Sequence, residues 1–286
     1  MRCNLRQSPF AACGEVQLEE GRTGLPRDIA QQECRWKATH LFADWKNVFR
    51  RLQAAEHVAL FLDFDGTLTA LKAQPFEVEL DDEMRSVLRR LAGHPHYSVC
   101  IISGRQLGDL RGRVRLRKLR CLGVHGMDDG RGTAIALGSR LALRQAMDLA
   151  DQRLGTIPGV WIEDKKIAFA VHFRAADSAG SALVTARLRR LEAILPGELR
   201  FMRGKKVWEV LPADAQGKGS AAARVLQGLP KGSLPVYVGD DTTDESAFST
   251  LRFGLTVAVG RRRTAASYFV ANPAEVRAFL ERLDTP

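Results

Sequence analysis

The sequence predicts an α/β fold in which a Rossmann-like parallel-sheet core carries an inserted α+β cap domain. Short apolar runs that end near a glycine alternate with helical patterns in the first and last parts of the chain. The middle of the chain instead carries two hairpin patterns, each next to a long helical pattern. Because alternating strands and helices build a parallel sheet whereas hairpins build antiparallel strands, we expect two layers of different kinds.

The core begins after residues 1–56, an N-terminal extension whose last part, THLFADWKNVFRRLQAAE, has apolar residues at helical spacing. From Val58, VALFLDFDG is too short for a helix and predicts a strand that is buried on both faces. DDEMRSVLRRLAG then predicts an amphipathic helix, with acidic residues in its first turn and a glycine at its end. YSVCIISGR and LRCLGVHG predict two further strands. These elements place the first part of the core in residues 57–127.

The cap is predicted for residues 128–211, where the order is helix, hairpin, helix, hairpin. The four patterns are SRLALRQAMDLADQRL, GVWIEDKKIAFAVHFR, SAGSALVTARLRRLEAIL and LRFMRGKKVWEVLP, and both hairpin tips are polar and contain lysines. The core resumes in residues 212–286 with a helix in GKGSAAARVLQGL, strands in LPVYVGDD and TVAVG, and a short helix in TTDESAFSTL. We therefore expect the insertion to cover the core as a lid.

Composition limits the classes of partner. The chain has 43 Lys plus Arg against 33 Asp plus Glu and a net charge of +10, which suits an anionic substrate, a nucleic acid or an acidic surface. Without an aromatic-rich basic face or a zinc pattern, we expect no nucleic-acid partner. The five cysteines form no CxxC pair, which favours a reduced protein. The absence of a secretory pattern and of a long apolar run predicts a cytoplasmic protein that does not enter a membrane.

Two aspartates, Asp63 and Asp65, come at the end of the first core strand, just before Gly66. Strand alternation would place their side chains on one side, about 7 Å apart, at the sheet edge where open α/β folds bind ligands. Ionised carboxylates this close repel one another unless a proton or a cation neutralises them. A capped turn would explain only one of the two. A second apolar strand ends in GDDTTD, which begins with Gly239 and Asp240, so we expect a site for a divalent cation such as Mg²⁺.

These carboxylates suit phosphoryl transfer. One carboxylate can attack a phosphoryl group, while its neighbour protonates the leaving oxygen and later activates water. The transferred oxygens then need fixed donors, for which Ser103 and Arg105 at a strand end and Lys218 at a helix start are candidates. Taken alone, Ser103 reads as a helix cap and Lys218 as a solvated surface lysine.

Together these residues resemble a known family. DFDGT at residues 63–67, Ser103, Lys218 and GDDTTD at residues 239–244 are similar, in order and in strand context, to the four motifs of the haloacid-dehalogenase-type phosphohydrolases. EDKKIAFAVHFR, GKKVWEVLP and GDDTTDESAF resemble the trehalose-6-phosphate phosphatase branch of that superfamily. The resemblance covers residues 59–283 and leaves most of the extension outside. DFDGT alone indicates only the superfamily, so the cap motifs carry the assignment to the branch.

The resemblance implies a Mg²⁺-dependent phosphatase that hydrolyses trehalose 6-phosphate through an aspartyl-phosphate, as the last step of trehalose synthesis. Its ligand would be a small-molecule sugar phosphate, and a trehalose-6-phosphate synthase would be its partner in the pathway. Asp63 would be the nucleophile, and Asp65 the acid and base. Ser103 and Lys218 would hold the phosphate. The Mg²⁺ ligands would be the side chains of Asp63 and Asp240 and the main-chain carbonyl of Asp65.

The resemblance also implies residues that hold the sugar. They are Glu163, Lys165 and Glu209, and the weaker candidates near the same cleft are Arg105, His125, His172 and Arg174. Charged residues are common at hairpin tips whatever their function, and the histidines and Arg174 also suit a strand surface. Two alternatives therefore stay open: a phosphatase for another sugar phosphate, such as a sucrose, glucosylglycerol or mannosyl ester, and a non-catalytic sugar-phosphate sensor.

Overall fold

The structure is a computed structural model that describes residues 38–72, 75–131, 136–195, 197–204 and 206–284. These residues form a parallel sheet of seven strands and a separate antiparallel sheet of four strands. The predicted fold class is thereby confirmed. Residues 1–37 of the predicted extension and Lys205 at the second hairpin tip lie outside the described residues.

The described strands are numbered in chain order. They are β1 (Thr39–His40), β2 (Val58–Leu62), β3 (Tyr97–Ile102), β4 (Arg120–Leu122), β5 (Trp161–Asp164), β6 (Phe169–His172), β7 (Leu199–Gly204), β8 (Val207–Pro212), β9 (Leu234–Gly239), β10 (Leu255–Val259) and β11 (Tyr268–Val270).

The described α-helices are numbered in the same way. They are α1 (Trp45–Ala54), α2 (Asp82–Gly93), α3 (Leu107–Val114), α4 (Leu137–Leu154), α5 (Ser178–Ile194), α6 (Lys218–Gln227), α7 (Glu245–Thr250) and α8 (Pro273–Leu283).

The parallel sheet has the strand order β1-β11-β10-β9-β2-β3-β4, so β2 lies between β9 and β3. Alternation along β2 sends successive side chains to opposite faces. Leu60 packs into a core with residues of α1, α2, α3 and α8, whereas Phe61 packs into a second core with residues of α6 and α7. Every residue of β2 and β10 is buried, which explains why both strands read as apolar runs, interrupted in β10 only by the buried Thr256.

The antiparallel sheet has the order β5-β6-β8-β7, with α4 and α5 packed on one face. Phe169, Val171, Trp208 and Val210 point to these helices and form a separate apolar core. The alternate residues of the same strands, among them Glu209, face the carboxyl edge of the parallel sheet, because they line one cavity with residues of that edge. This polar sheet face is the roof of the site described below.

Some elements differ from the sequence patterns. The patterns do not predict α3, α8, β1 or β11. α3, β1 and β11 are short, whereas α8 carries signals that were missed: Asn272 caps it, Pro273 begins it and its apolar residues have helical spacing. The end of the predicted extension packs into the core, since Thr39 pairs with Tyr268 of β11 and Leu41 is fully buried. No described helix is both long enough and apolar enough to cross a membrane.

The predicted strand through Asp63 and Asp65 is wrong at its carboxyl end. β2 ends at Leu62, although the Asp63 amide still donates to the Val238 carbonyl at 2.9 Å. Gly66, with a φ of +81°, lies in the turn that follows. The two carboxylates therefore need not point the same way. Asp63 contacts the Lys218 ammonium, and Asp65 contacts the Arg105 guanidinium.

Candidate active site

The carboxyl ends of the central strands open into a cavity of about 510 Å³ beneath the antiparallel sheet. Both sheets contribute to its walls. It is lined by all of the site residues predicted from the sequence: Asp63, Asp65, Ser103, Arg105, His125, Glu163, Lys165, Glu209, Lys218 and Asp240, together with His172 and Arg174.

A buried ammonium group links two aspartates at the floor of this cavity. Lys218 Nζ donates to Asp63 Oδ1 at 2.7 Å and to Asp244 Oδ1 at 2.8 Å. Tyr237, at the centre of β9, donates its hydroxyl to the same Asp244 oxygen at 2.8 Å, and Thr67 Oγ1 donates to Asp63 Oδ2 at 3.3 Å. The cluster fixes one face of Asp63 and holds Lys218 at the start of α6.

Carboxylate oxygens of Asp63, Asp240 and Asp244 lie within 4.8 Å of one another. Burial raises the pKa of Asp63 well above its usual range; the Lys218 ammonium opposes this shift, and Asp244 and Asp240 add to it. Burial also disfavours the charged form of Lys218, but Asp244 and Asp63 outweigh it and raise the pKa of this lysine. Three crowded carboxylates with oxygen-only donors fit a hard divalent cation such as Mg²⁺, which would relieve their repulsion.

Two glycines make this crowding sterically feasible. A Cβ on Gly66 would lie 2.3 Å from Asp240 Oδ2, and a Cβ on Gly239 would lie 2.3 Å from the Asp244 carboxyl carbon. Neither position therefore admits a side chain while the carboxylates stay in place.

Asp65 belongs to a second polar cluster on the other side of the cavity floor. Arg105 donates to both of its carboxylate oxygens, through Nε to Oδ2 at 2.7 Å and through Nη2 to Oδ1 at 2.6 Å. The same guanidinium donates to Asp109 at 2.8 Å. Burial opposes the ionised form of Asp109, but bonds from Arg113 and Arg105 lower its pKa below the usual value. The side chain of Asp65 is thus directed to Arg105 and not to the three-carboxylate group.

Ser103 and His125 lie where β3 and β4 end. Ser103 is 1% exposed, and its Oγ accepts from the Arg105 amide at 3.2 Å. Val124 and His125 have φ values of +46° and +57°, which β-branched valine in particular rarely adopts. Such backbone strain persists only where the surrounding structure fixes it. The His125 ring is packed closely against Gly104, since a Cβ at that glycine would lie 2.9 Å from the ring.

The roof of the cavity is joined to the floor by ionic contacts. Glu209 Oε2 lies 2.5 Å from His125 Nε2, and Glu209 Oε1 accepts from Lys165 Nζ at 2.5 Å. Lys165 also donates to the Gly104 carbonyl at 2.8 Å. Burial opposes ionisation of Glu209, but His125 and Lys165 outweigh it and hold the pKa of Glu209 well below its usual range.

Glu163 forms the outer part of the roof. Its Oε2 lies 2.9 Å from His172 Nε2 and 4.0 Å from Lys165 Nζ. Burial opposes ionisation of Glu163, yet the His172 contact and the Lys165 charge lower its pKa. Glu163, Lys165 and Glu209, which the sequence placed on two separate hairpins, therefore form one polar row.

The structure adds residues that the sequence patterns do not single out. Tyr237 donates to Asp244 of the buried cluster, Asp109 accepts from Arg105, and Trp161 lines the cavity. Thr67, the last residue of DFDGT, gains a role as a donor to Asp63. Tyr237 gives no signal in the sequence because it occupies an ordinary apolar strand. Trp161 could have been found, since it precedes Glu163 by two residues and strand alternation puts both side chains on one face.

The arrangement provides what phosphoryl transfer requires. A buried carboxylate, Asp63, lies beside an ammonium donor and a group of oxygens suited to a divalent cation. A second carboxylate, Asp65, follows two residues later, and the roof offers charged donors and acceptors to a polar ligand.

Comparison with known proteins points to one family. The sequence model of the family described as trehalose-phosphatase matches residues 61–275. The "Probable trehalose-phosphate phosphatase 3" of Oryza sativa subsp. japonica is 32% identical over 280 residues, which covers 87% of this chain and 75% of the relative. The "Probable trehalose-phosphate phosphatase C" of Arabidopsis thaliana is also 32% identical, over 270 residues that cover 87% and 83%.

A solved structure agrees in fold. The C-terminal domain of the C. albicans trehalose-6-phosphate phosphatase superposes with a TM-score of 0.76 at 23% identity, covering 86% of this chain and 98% of that domain.

Proposed function

This chain belongs to the trehalose-phosphatase family of phosphoric monoester hydrolases, and on that premise we propose that it removes phosphate from trehalose 6-phosphate with Mg²⁺. The observation that carries the proposal is the position of Asp63. Its buried carboxylate lies at the floor of the cavity, bonded to Lys218 and beside Asp240, beneath a roof of sugar-compatible polar groups. Trehalose would be released, as the last step of its synthesis after a trehalose-6-phosphate synthase.

The first step is attack of the Asp63 carboxylate on the substrate phosphorus. The bond between phosphorus and the sugar oxygen breaks, and Asp65 gives that oxygen a proton, which leaves an aspartyl-phosphate on Asp63. Lys218 and Ser103 hold the phosphoryl oxygens during transfer. In the second step Asp65 takes a proton from water, the water oxygen bonds to phosphorus, and the bond to Asp63 breaks to release inorganic phosphate.

Proton transfer by Asp65 requires a rearrangement. Arg105 uses both oxygens of Asp65 as acceptors, so this carboxyl cannot hold a transferable proton while the pair is intact. A phosphate ester is a stronger competitor for a guanidinium than solvent is. We therefore propose that the phosphate ester draws Arg105 away from Asp65, so that Asp65 can then act as the acid.

The proposed Mg²⁺ ligands are the side chains of Asp63 and Asp240 and the main-chain carbonyl of Asp65. When bound, the ion would neutralise charge on the carboxylates and on the phosphoryl oxygens. Asp244, which accepts from Lys218 and Tyr237 and also from the Asp241 amide, is suited to holding this arrangement in place.

The roof would hold the sugar. Glu163, Lys165 and Glu209 supply acceptors and donors for hydroxyl groups, with His125 beside them, and these residues contact one another. A disaccharide would exchange these contacts for its own hydroxyls. Such a pre-arranged row supports a sugar ester over a simple alkyl or aryl phosphate.

The test is phosphate release from trehalose 6-phosphate, glucose 6-phosphate and sucrose 6-phosphate, with Mg²⁺ and with EDTA. We expect metal-dependent release that is fastest from trehalose 6-phosphate, absent in Asp63→Asn and retained in Asp148→Asn, whose exposed side chain lies on α4. Faster phosphate release from another ester would overturn the assignment of trehalose 6-phosphate as the substrate. Tight binding of sugar phosphate by the folded, Mg²⁺-loaded protein without release of phosphate would instead favour a sensor.

A further inference from the structure

Trp161 exposes an indole ring to the cavity of the proposed active site. The residue is 41% exposed, although burial of an aromatic ring of this size is strongly favourable. Its ring stacks on the His172 ring, with centroids 4.0 Å apart and planes at 10°. One face of the indole is thus occupied by His172, and the residue lines the same cavity as Asp63.

The register of the antiparallel sheet explains this position. Trp161 opposes His172, and Glu163 opposes Ala170, across the pair of β5 and β6. Because alternate residues of a strand share a face, Trp161 and Glu163 both belong to the polar face that roofs the cavity. β5 is the edge strand of that sheet, so Trp161 lies at the margin of the roof.

The inner end of the polar row contacts the floor of the cavity. Glu209 is joined to His125, and Lys165 is joined to the Gly104 carbonyl, next to the proposed phosphate ligand Ser103. The side chains of Glu209 and Lys165 are only 14% and 5% exposed. These groups are therefore placed to meet the sugar ring that carries the phosphate.

The outer end of the row leads away from the floor. Glu163 Oε2 lies 4.0 Å from Lys165 Nζ and 2.9 Å from His172 Nε2. The Trp161 ring stacks on the His172 ring. The side chain of Glu163 is 27% exposed, and Trp161 is more exposed still. A ligand that begins at Asp63 would reach Trp161 only with a part that lies beyond its first ring.

We propose that Trp161 is the platform for the non-phosphorylated ring of the substrate, and that it makes the enzyme select a disaccharide phosphate over a monosaccharide phosphate. The inference rests on the function proposed above. A pyranose chair with equatorial hydroxyls presents C–H groups on its faces and hydroxyls at its rim. A flat aromatic surface beside a carboxylate such as Glu163 matches both. The bond between Glu163 and His172 fixes the ring on which the indole rests.

Kinetics of three variants test this inference. For Trp161→Ala we expect KM for trehalose 6-phosphate to rise about tenfold with kcat within about twofold, whereas Trp161→Phe keeps most of the affinity because it keeps an aromatic face. Turnover of glucose 6-phosphate, which lacks the second ring, should be unchanged. Leu183→Ala is the matched control, since Leu183 is also 41% exposed and lies on α5, outside the cavity. An unchanged KM in Trp161→Ala, or an equal loss with both substrates, would overturn the inference.

Binding of unphosphorylated trehalose provides a readout that is independent of turnover. Titration calorimetry should show weaker binding by Trp161→Ala than by the wild-type protein and by Leu183→Ala. Equal binding by all three proteins, or no binding by the wild type, would contradict the platform. If the wild-type protein binds trehalose through Trp161 but releases no phosphate from its ester, then the proposed function fails and the platform stands.

Discussion

Arg105 holds both carboxylate oxygens of Asp65, at 2.7 and 2.6 Å, while it also donates to Asp109. Its guanidinium carbon lies 5.6 Å from the centre of the Phe64 ring, which supports the pair from one side. In this arrangement the second aspartate of DFDGT is kept from proton transfer. In the proposed mechanism, release of Asp65 would depend on a competing anion.

Replacement of Arg105 tests this relationship. Arg105→Gln should raise KM for trehalose 6-phosphate about ten- to a hundredfold, because a charge-assisted contact to the phosphate is lost. The KM of Arg105→Lys should lie between those of the wild type and of Arg105→Gln, since lysine keeps the charge but cannot make the two-point contact. Steady-state kinetics of both variants, with Arg144→Gln on the exposed surface of α4 as the control, provide the measurement. A KM that does not change in Arg105→Gln would show that the substrate never meets this guanidinium.

Glu209 should stabilise the protein in a pH-dependent way. Its carboxylate pairs with Lys165 and His125, and its folded-state pKa lies below the ordinary value of 4.5. A lowered folded-state pKa means that the stabilisation is fully present above the unfolded value and is lost as pH falls through the folded value. Glu209→Gln should therefore cost about 3 kcal/mol of unfolding free energy near neutral pH, because Lys165 loses its buried partner.

Denaturant unfolding of wild type and Glu209→Gln between neutral and acid pH is the measurement. The difference in unfolding free energy should shrink as pH falls below about 4.5, where the unfolded chain takes up the proton, and should be lost only as pH falls through the lower pKa of the folded carboxylate. Glu192→Gln, an exposed position on α5, should show no such trend. A gap between the two proteins that is constant across the acid range would refute the ion-pair explanation.

The fold and the position of the two aspartates at the sheet edge were accessible from the sequence for a local reason. Apolar runs such as Val58–Leu62 and the turn at Gly66 are properties of consecutive residues, and chain order places their carboxyl ends on one sheet edge. The ion pair between Arg105 and Asp65 joins residues 40 positions apart, so no local pattern predicts it. Strand alternation, the local rule available, predicts that both aspartates lie on one side of the strand. Only the packed structure shows that Asp63 contacts Lys218 whereas Asp65 contacts Arg105.

Short elements were equally hard to predict. α3 reads LGDLRGRV, an eight-residue segment whose apolar residues have helical spacing but which contains two helix-disfavouring glycines, and β1 has two residues. The polar row of the roof draws Lys165 and Glu209 from different hairpins, and its continuity depends on the register between β6 and β8, in which Ala170 opposes Glu209.

Tyr237 is expected to position the buried cluster. Tyr237→Phe removes the hydroxyl that Asp244 accepts at 2.8 Å and leaves the apolar contact with Phe248. We expect a loss of about 1 kcal/mol in stability and a several-fold fall in kcat, because Asp244 then holds Lys218 less firmly. Unfolding and kinetics are measured on the same preparation.

The control for this variant is Tyr97→Phe, whose hydroxyl donates to the Leu283 carbonyl at 2.9 Å, at the amino end of β3 and away from the strand end that precedes Ser103. It should lose similar stability and no kcat. If both variants lose kcat equally, then Tyr237 acts only through general stability and not through Lys218.

Mg²⁺ should stabilise the folded protein. The ion would bind Asp63, Asp240 and the Asp65 carbonyl, which the unfolded chain does not bring together, so its binding free energy adds to stability by about 2.7 kcal/mol at a hundred times Kd. We expect the thermal midpoint to rise by several degrees with saturating Mg²⁺ and to return on addition of EDTA. Asp240→Asn should abolish most of this rise, whereas Asp148→Asn should not. An equal rise in both variants would place the ion elsewhere.

The most direct test of the account is to look for the phosphoryl group on Asp63. The wild-type protein is mixed with trehalose 6-phosphate that carries labelled phosphate, quenched in acid during the first turnover, and mapped by peptide. We predict transient label on the peptide that contains Asp63, appearing and disappearing at rates consistent with phosphate release, and none in Asp63→Asn. Phosphate release at the full rate without any label on that peptide, or turnover retained in Asp63→Asn, would contradict the assignment of Asp63 as the nucleophile.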